Sequence, residues 1–302
     1  WAALEDLPLQ EAIELRLRDE PGLAATFTAI DFVIGQKFVR ENLVLDHEKK
    51  EELEWLGTHG DPAVVPLLVG ALLRPRVERK EDEADAPLAI WRAHPNGAGE
   101  LLEAFAQRGR LDARALPALR AILGQQEKYE WRRARAVALL GMLRDVESVP
   151  ALLTLVEWLP TDDYGEAIKR KDLAVALPPA LARIGDGRAV APLSKMLESS
   201  DRTAKDARSW VAEALGALGA VGAWREIMRH AADSDRKPAA WLLWSAGMLG
   251  AQADDATKQA IVKELQGFKP KWSVSYLDLV RDGVLARLGV SVVHPRDGSL
   301  VT

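Results

Sequence analysis

The 302-residue chain contains no cysteine. That absence excludes a disulfide scaffold, a thiolate zinc site, an iron–sulfur centre and a cysteine nucleophile. It also lacks any run of 18 uninterrupted apolar residues, so no segment reads as membrane-spanning. A strong charge of either sign is missing too. Forty basic residues face 45 acidic ones, for a formal net charge of −5. With an isoelectric point near 5.7, a generic grip on nucleic acid is disfavoured, because phosphate binding needs a net basic face. The chain opens on Trp1 rather than Met, which reads as a processed, trimmed or excised start. No signal segment stands at that end. The expectation is a soluble protein, cytoplasmic or exported after signal removal.

What the chain has in quantity is helix-forming sequence. Apolar residues make up 48% and charged residues 28%, an ordinary globular balance. About three residues in ten are Ala or Leu, which lose little freedom in a helix.

The pattern repeats. Four segments align on an aspartate followed by an apolar stretch with proline, beginning at Asp61, Asp112, Asp145 and Asp186. Their prolines are Pro66, Pro117, Pro150 and Pro192. A second ladder marks the ends of preceding helices: Leu56-Gly57, Leu143-Arg144, Ile184-Gly185, Leu218-Gly219, Leu249-Gly250 and Leu288-Gly289. From residue 143 its steps are 41, 34, 31 and 39 residues. Such periods mean stacked supersecondary units. In one unit, Ala136, Leu139, Leu140 and Leu143 fall at helical spacing, with Ala138 and Gly141 allowing close helix approach. Asp145 then fits the N-cap of a second helix. A proline costs about 3 kcal/mol in a helix interior, so these prolines are expected in first turns.

Residues 207–219, Ala-Arg-Ser-Trp-Val-Ala-Glu-Ala-Leu-Gly-Ala-Leu-Gly, resemble the first helix of HEAT repeats, especially the short bacterial type also found in phycobilin lyases. Residues 182–193 look like the turn and second helix of the same repeat. Arg133 and Arg208 each lie eight residues before Gly141 and Gly216, where that repeat usually carries Arg; Ala174 and Ala239 hold the equivalent positions elsewhere. The resemblance implies an all-α, right-handed α-solenoid (superhelix) of about six HEAT-like helical pairs. The expected organisation is a divergent helical cap over 1–46, a solenoid over 47–290 with a charged insertion near 74–98, and an extended tail over 291–302. A break is expected at 160–165, and His94-Pro95-Asn96-Gly97 marks another.

Chemical motifs are missing. There is no P-loop, no Gly-x-Gly-x-x-Gly, no Gly-x-Ser-x-Gly and no His-Glu-x-x-His. His47, His59, His94, His230 and His294 are scattered, and His59 reads as a turn residue beside Gly60-Asp61. The acids at Asp162-Asp163 and Asp254-Asp255 read as helix caps rather than an acid/base pair. No catalytic, cofactor-binding or metal-ligating residue is therefore assigned.

Ten tryptophans in the chain are unusually many. The bland reading places them in the inter-repeat core. The sharper one makes them an aromatic groove for a peptide, glycan or partner helix. On that second reading the candidate partner-binding residues are Trp131, Arg132, Arg133, Trp210, Trp241, Trp244 and Tyr164. Basic clusters near first-helix starts have acidic neighbours that largely neutralise them. The expected function is a non-catalytic protein–protein interaction scaffold or accessory subunit, using an extended surface or the segments 74–86 and 160–172. The resemblance also implies two alternatives: a bilin or tetrapyrrole lyase- or chaperone-like HEAT protein, and a HEAT-like DNA glycosylase, which the acidic isoelectric point disfavours.

Overall fold

The computed structural model describes His59, Val65, Leu68 and residues 95–111, 113–125, 130–234, 236–269, 275–293 and 300–301. The expected cap over 1–46, the charged segment 74–86 and most of the first repeat lie outside these residues. The chain divides into two compact units. One joins Trp1–Glu127 to Trp131–Asp145, and the other joins Lys128–Glu130 to Val146–Thr302.

In the first unit the described helices are α1 (Pro95–Gln107), α2 (Leu116–Leu123) and α3 (Trp131–Met142). Helix α3 packs on both α1 and α2. The interruption expected at 94–97 is instead the first turn of α1, where Pro95 loses nothing because the first N–H groups have no helical acceptor. His59 is likewise helical rather than in a turn. Pro117 falls at the start of α2, as expected of a first-turn proline. Arg135 reaches from α3 to Glu103 on α1 at 2.6 Å.

The second unit contains α4 (Val149–Trp158), α5 (Tyr164–Ile184), α6 (Val190–Glu198), α7 (Arg202–Ala217), α8 (Trp224–Asp233), α9 (Arg236–Gln252), α10 (Asp255–Gly267) and α11 (Ser275–Arg287). It is a solenoid of helical pairs in two layers. The long first helices α5, α7, α9 and α11 pack side by side in order, and α4, α6 and α8 form the second layer. The repeat thus becomes an all-α stack in which each helix finds its core only against its neighbours. The expected extended tail is a short antiparallel pair, β1 (Val292–Val293) with β2 (Leu300–Val301), against α11.

The helix ends follow from particular residues. Asp163, Asp201 and Asp254 cap α5, α7 and α10, accepting from the backbone N–H groups of Glu166, Ala204 and Thr257 at 2.8, 2.9 and 2.7 Å. Pro150 sits in the first turn of α4, as its spacing predicts. Pro178 and Pro179 do not follow that rule, since both lie inside the 21-residue α5. Each lacks an N–H and removes one helical bond, at a cost of about 3 kcal/mol. Burial of Leu173, Ala174, Leu177, Ala180 and Leu181 keeps the helix continuous across them.

The ladder of helix ends has a conformational cause at most of its rungs. Gly185, Gly219 and Gly289 have positive φ, and Arg144 takes the same role at φ 52°. Gly250 differs. It lies within α9, where a Cβ would stand 3.0 Å from a Leu288 methyl, so close packing rather than a left-handed turn explains it. The Asp145 carboxylate also receives a forked contact from Arg120, with Nε at 2.7 Å. Asp186 does cap, accepting from the N–H of Arg188 at 2.9 Å. The Arg188 side chain and N–H together hold its carboxyl at a pKa of about 2.

Candidate functional site

The repeated arginines have a structural task. Arg133 donates to the carbonyl of Leu123 at 3.1 Å, at the end of α2. Arg208 donates to the carbonyl of Ser199 at 3.0 Å, at the end of α6. Both therefore satisfy carbonyls that a helix leaves unpaired at its C-terminus and place a cation at the negative end of its dipole. Position 174 was the expected equivalent and holds Ala. The structure supplies the same contact one turn earlier, from Arg170 to the Trp158 carbonyl at 2.7 Å.

This assignment removes two sequence candidates from the surface. Arg132 and Arg133 are 2% and 8% exposed. Arg132 donates to the Gln125 side chain at 3.1 Å. Trp131, beside them at the start of α3, is only partly exposed. These three belong to the first unit and the other four candidates to the second.

The remaining four share one layer of the second unit. Tyr164 opens α5, Trp210 lies on α7, and Trp241 and Trp244 lie on α9. They are 63%, 41%, 52% and 40% exposed, so the inter-repeat core reading fails for these three tryptophans. It holds for Trp224, at the start of α8, which is buried.

Packing fixes their register. Gly216 on α7 lies against Met248 and the Ser245 carbonyl, and Gly219 faces the Gln252 side chain. Gln252 in turn donates to the Gly216 carbonyl at 2.9 Å. The two helices therefore run parallel, with Trp210 level with Trp241. Gly247 and Gly250 face Val284 and Leu288, so α11 continues the same direction and brings the exposed Leu279 level with Trp241. The result is an apolar row across three helices, Trp210, Trp241 and Leu279, with Trp244 one turn further on.

Helix α9 stands at the centre of this row. From Pro238 to Gln252 it carries no charged residue. Leu242, Leu243, Ala246 and Leu249 are buried, while its opposite side presents Trp241 and Trp244. A helix apolar on all sides normally has neighbours on all sides. Two guanidinium groups stack on aromatic rings at the edges of the patch. Arg287 lies 5.0 Å from the Trp244 ring centre, and Arg202 lies 4.9 Å from that of Tyr164.

The segment 160–172, expected to serve as a loop, is mostly helix: only 159–163 connect α4 to α5. Among the described residues no group of His, Asp and Glu could hold a metal ion. No described helix is long and apolar enough to cross a membrane. Sequence reasoning named the exposed tryptophans of α7 and α9 but missed Trp158, Leu279 and Arg287. The charge-free run in α9 was the available signal for that surface.

The fold resembles a chain of the complex of CpcE and CpcF of phycocyanin lyase from Nostoc sp. PCC7120. The two are 20% identical, with a TM-score of 0.47, over 86% of this chain and 94% of that one. No protein-family model and no curated protein matches the chain.

Proposed function

We propose that the chain is a non-catalytic docking subunit that holds a protein partner on the α5, α7, α9 and α11 layer. The observation that supports this most directly is the row of tryptophans standing half out of the protein at matched register. Burying such rings elsewhere would recover the hydrophobic stabilisation that the isolated chain forgoes, at about 25 cal/mol per Å² of apolar surface. Tryptophan at the centre of an apolar patch with a polar rim is also the usual composition of an interface hot spot. A surface of this kind binds without chemistry, which agrees with the lack of a catalytic motif in the sequence.

The test is the size of the assembly formed in the native source. Wild-type chain should elute from size exclusion with a stoichiometric protein partner. The Trp241→Ser/Trp244→Ser variant should elute alone, with an unchanged helical circular-dichroism spectrum. Co-elution of the same partner with the double variant would overturn the proposal. So would a tetrapyrrole whose absorption shifts on binding to wild type but not to this variant, since the patch would then be a pigment site.

A further inference from the structure

The docking reading says that a partner binds, not what the partner presents. Charge at the margins of the patch narrows the choice. Arg202 and Arg287 are exposed, and neither has a carboxylate within ion-pair reach among the described residues. Outside the patch, Arg188, Arg229 and Arg281 are each paired with an acid, while Arg225 lies over Trp224 on α8. A guanidinium held over a ring face keeps N–H groups available for a carboxylate fork. The two stacked arginines lie at diagonal corners. Arg202 is at the N-terminal end of the layer between α5 and α7, and Arg287 reaches Trp244 on α9.

We infer that the occupant of this face is an amphipathic helix of a partner protein, with an apolar stripe for Trp210, Trp241 and Trp244 and a carboxylate at each end for Arg202 and Arg287. The spacing suits a helix. Neighbouring helix axes lie roughly 8–10 Å apart, close to the roughly 10.5 Å between residues i and i+7 of an α-helix. A single apolar stripe can therefore meet successive rungs of the row. The diagonal between the arginines, about 16 Å along the helices and about two helix spacings across them, is roughly 24 Å, which about 16 residues of helix span. Asp206 and Glu213 stand on α7 between the corners, so the partner's acids belong at its two ends and not along its middle.

This inference rests on the docking reading, and one experiment separates their failures. The full chain would be used as bait to select from a displayed library of helical peptides of about 16 residues with randomised surface positions. The Trp241→Ser/Trp244→Ser chain serves as counter-selection. Expected ligands bind only wild type and carry a Leu/Ile/Met/Phe stripe with Asp or Glu near both ends. For a synthesised representative, replacing the terminal Glu residues with Gln should weaken binding at least tenfold. Against the Arg202→Gln/Arg287→Gln chain, the Glu and Gln peptides should bind equally. Tryptophan-dependent ligands with basic or uncharged ends would overturn the inference and leave the docking reading intact. So would a tryptophan-dependent dimer in sedimentation, which would make the occupant a second copy. Absence of any tryptophan-dependent ligand would overturn both.

Discussion

Helices α8 and α9 follow one another in the chain, and each presents tryptophan, yet they use it in opposite ways. In α8, Trp224 joins Ile227, Met228 and Ala231 on the buried side, while Arg225 and Arg229 stand outside. Glu226 accepts from Arg229 Nε at 2.9 Å, completing a charged outer surface. In α9 the buried side is filled by leucine and alanine, and the tryptophans are what remains outside. The second layer is finished by solvent. The first layer leaves the tryptophan side of α9 exposed. Tryptophan content alone therefore says little; the side of the helix that holds it decides between core and surface.

The sharpest break in this comparison is between neighbouring residues and between layers. Trp224→Ala should cost about 4 kcal/mol and Leu243→Ala about 3 kcal/mol, through lost burial and the cavities left behind. Trp244→Ala, one residue along the same helix, should cost no more than about 1 kcal/mol, chiefly the contact with Arg287. Urea denaturation of the three variants measures this. Equal losses for Leu243→Ala and Trp244→Ala would mean that Trp244 belongs to the core.

A smaller effect probes how closely the first layer is packed. A Cβ at Gly247 would lie 2.5 Å from Val284 Cγ1, on a short side chain that cannot swing away. Gly247→Leu should destabilise by about 2 kcal/mol through overpacking between α9 and α11. Gly267→Leu, where nothing approaches a Cβ, should not. Thermal melts of the pair distinguish the two sites.

The smallest expected effect belongs to the second layer and depends on pH. His230 is buried on α8. Its Nε2 lies 2.8 Å from a Glu226 oxygen. Burial, then the Arg208 cation across on α7, push its pKa below 6.5, with Arg229 adding to the effect. Glu226 and the backbone of Leu197 on α6 oppose it. The folded protein thus keeps the ring neutral, while the unfolded chain takes up the proton first. Stability from this site is complete above pH 6.5 and declines as pH falls below it, until the folded ring protonates in turn. Melting temperatures should fall between pH 6.5 and 5 in wild type and fall less in His230→Gln. Identical curves would show that the ring is not held neutral by its surroundings.

Much of the fold was legible because repeat periodicity is a local property. The aspartate, proline and glycine positions announced pair after pair, and Asp163, Asp254, Pro117 and Pro150 occupy the terminal positions their chemistry favours. The failures share a cause. Arg170 replaced the absent arginine at 174 because a long side chain one turn away reaches the same carbonyl. Pro178 and Pro179 persist inside a helix because burial outweighs the bonds they remove. Gly250 occupies a rung of the ladder for the sake of Leu288 rather than of its own φ.

The candidate surface divides along the same line. Sequence alone determined that the chain builds stacked helices, that tryptophan is abundant, and that α9 carries no charge from Pro238 onward, because composition and period are written residue by residue. Only the tertiary structure decided that Arg132 and Arg133 turn inward while Trp210 and Trp241 stand out at one level, with Trp244 one turn further on. In a helix without a polar side, the apolar pattern cannot specify which side meets the neighbours. That choice falls to the packing of Gly216 on Met248 and Gly247 on Val284, where small residues let one side of α9 approach and leave the tryptophans on the other.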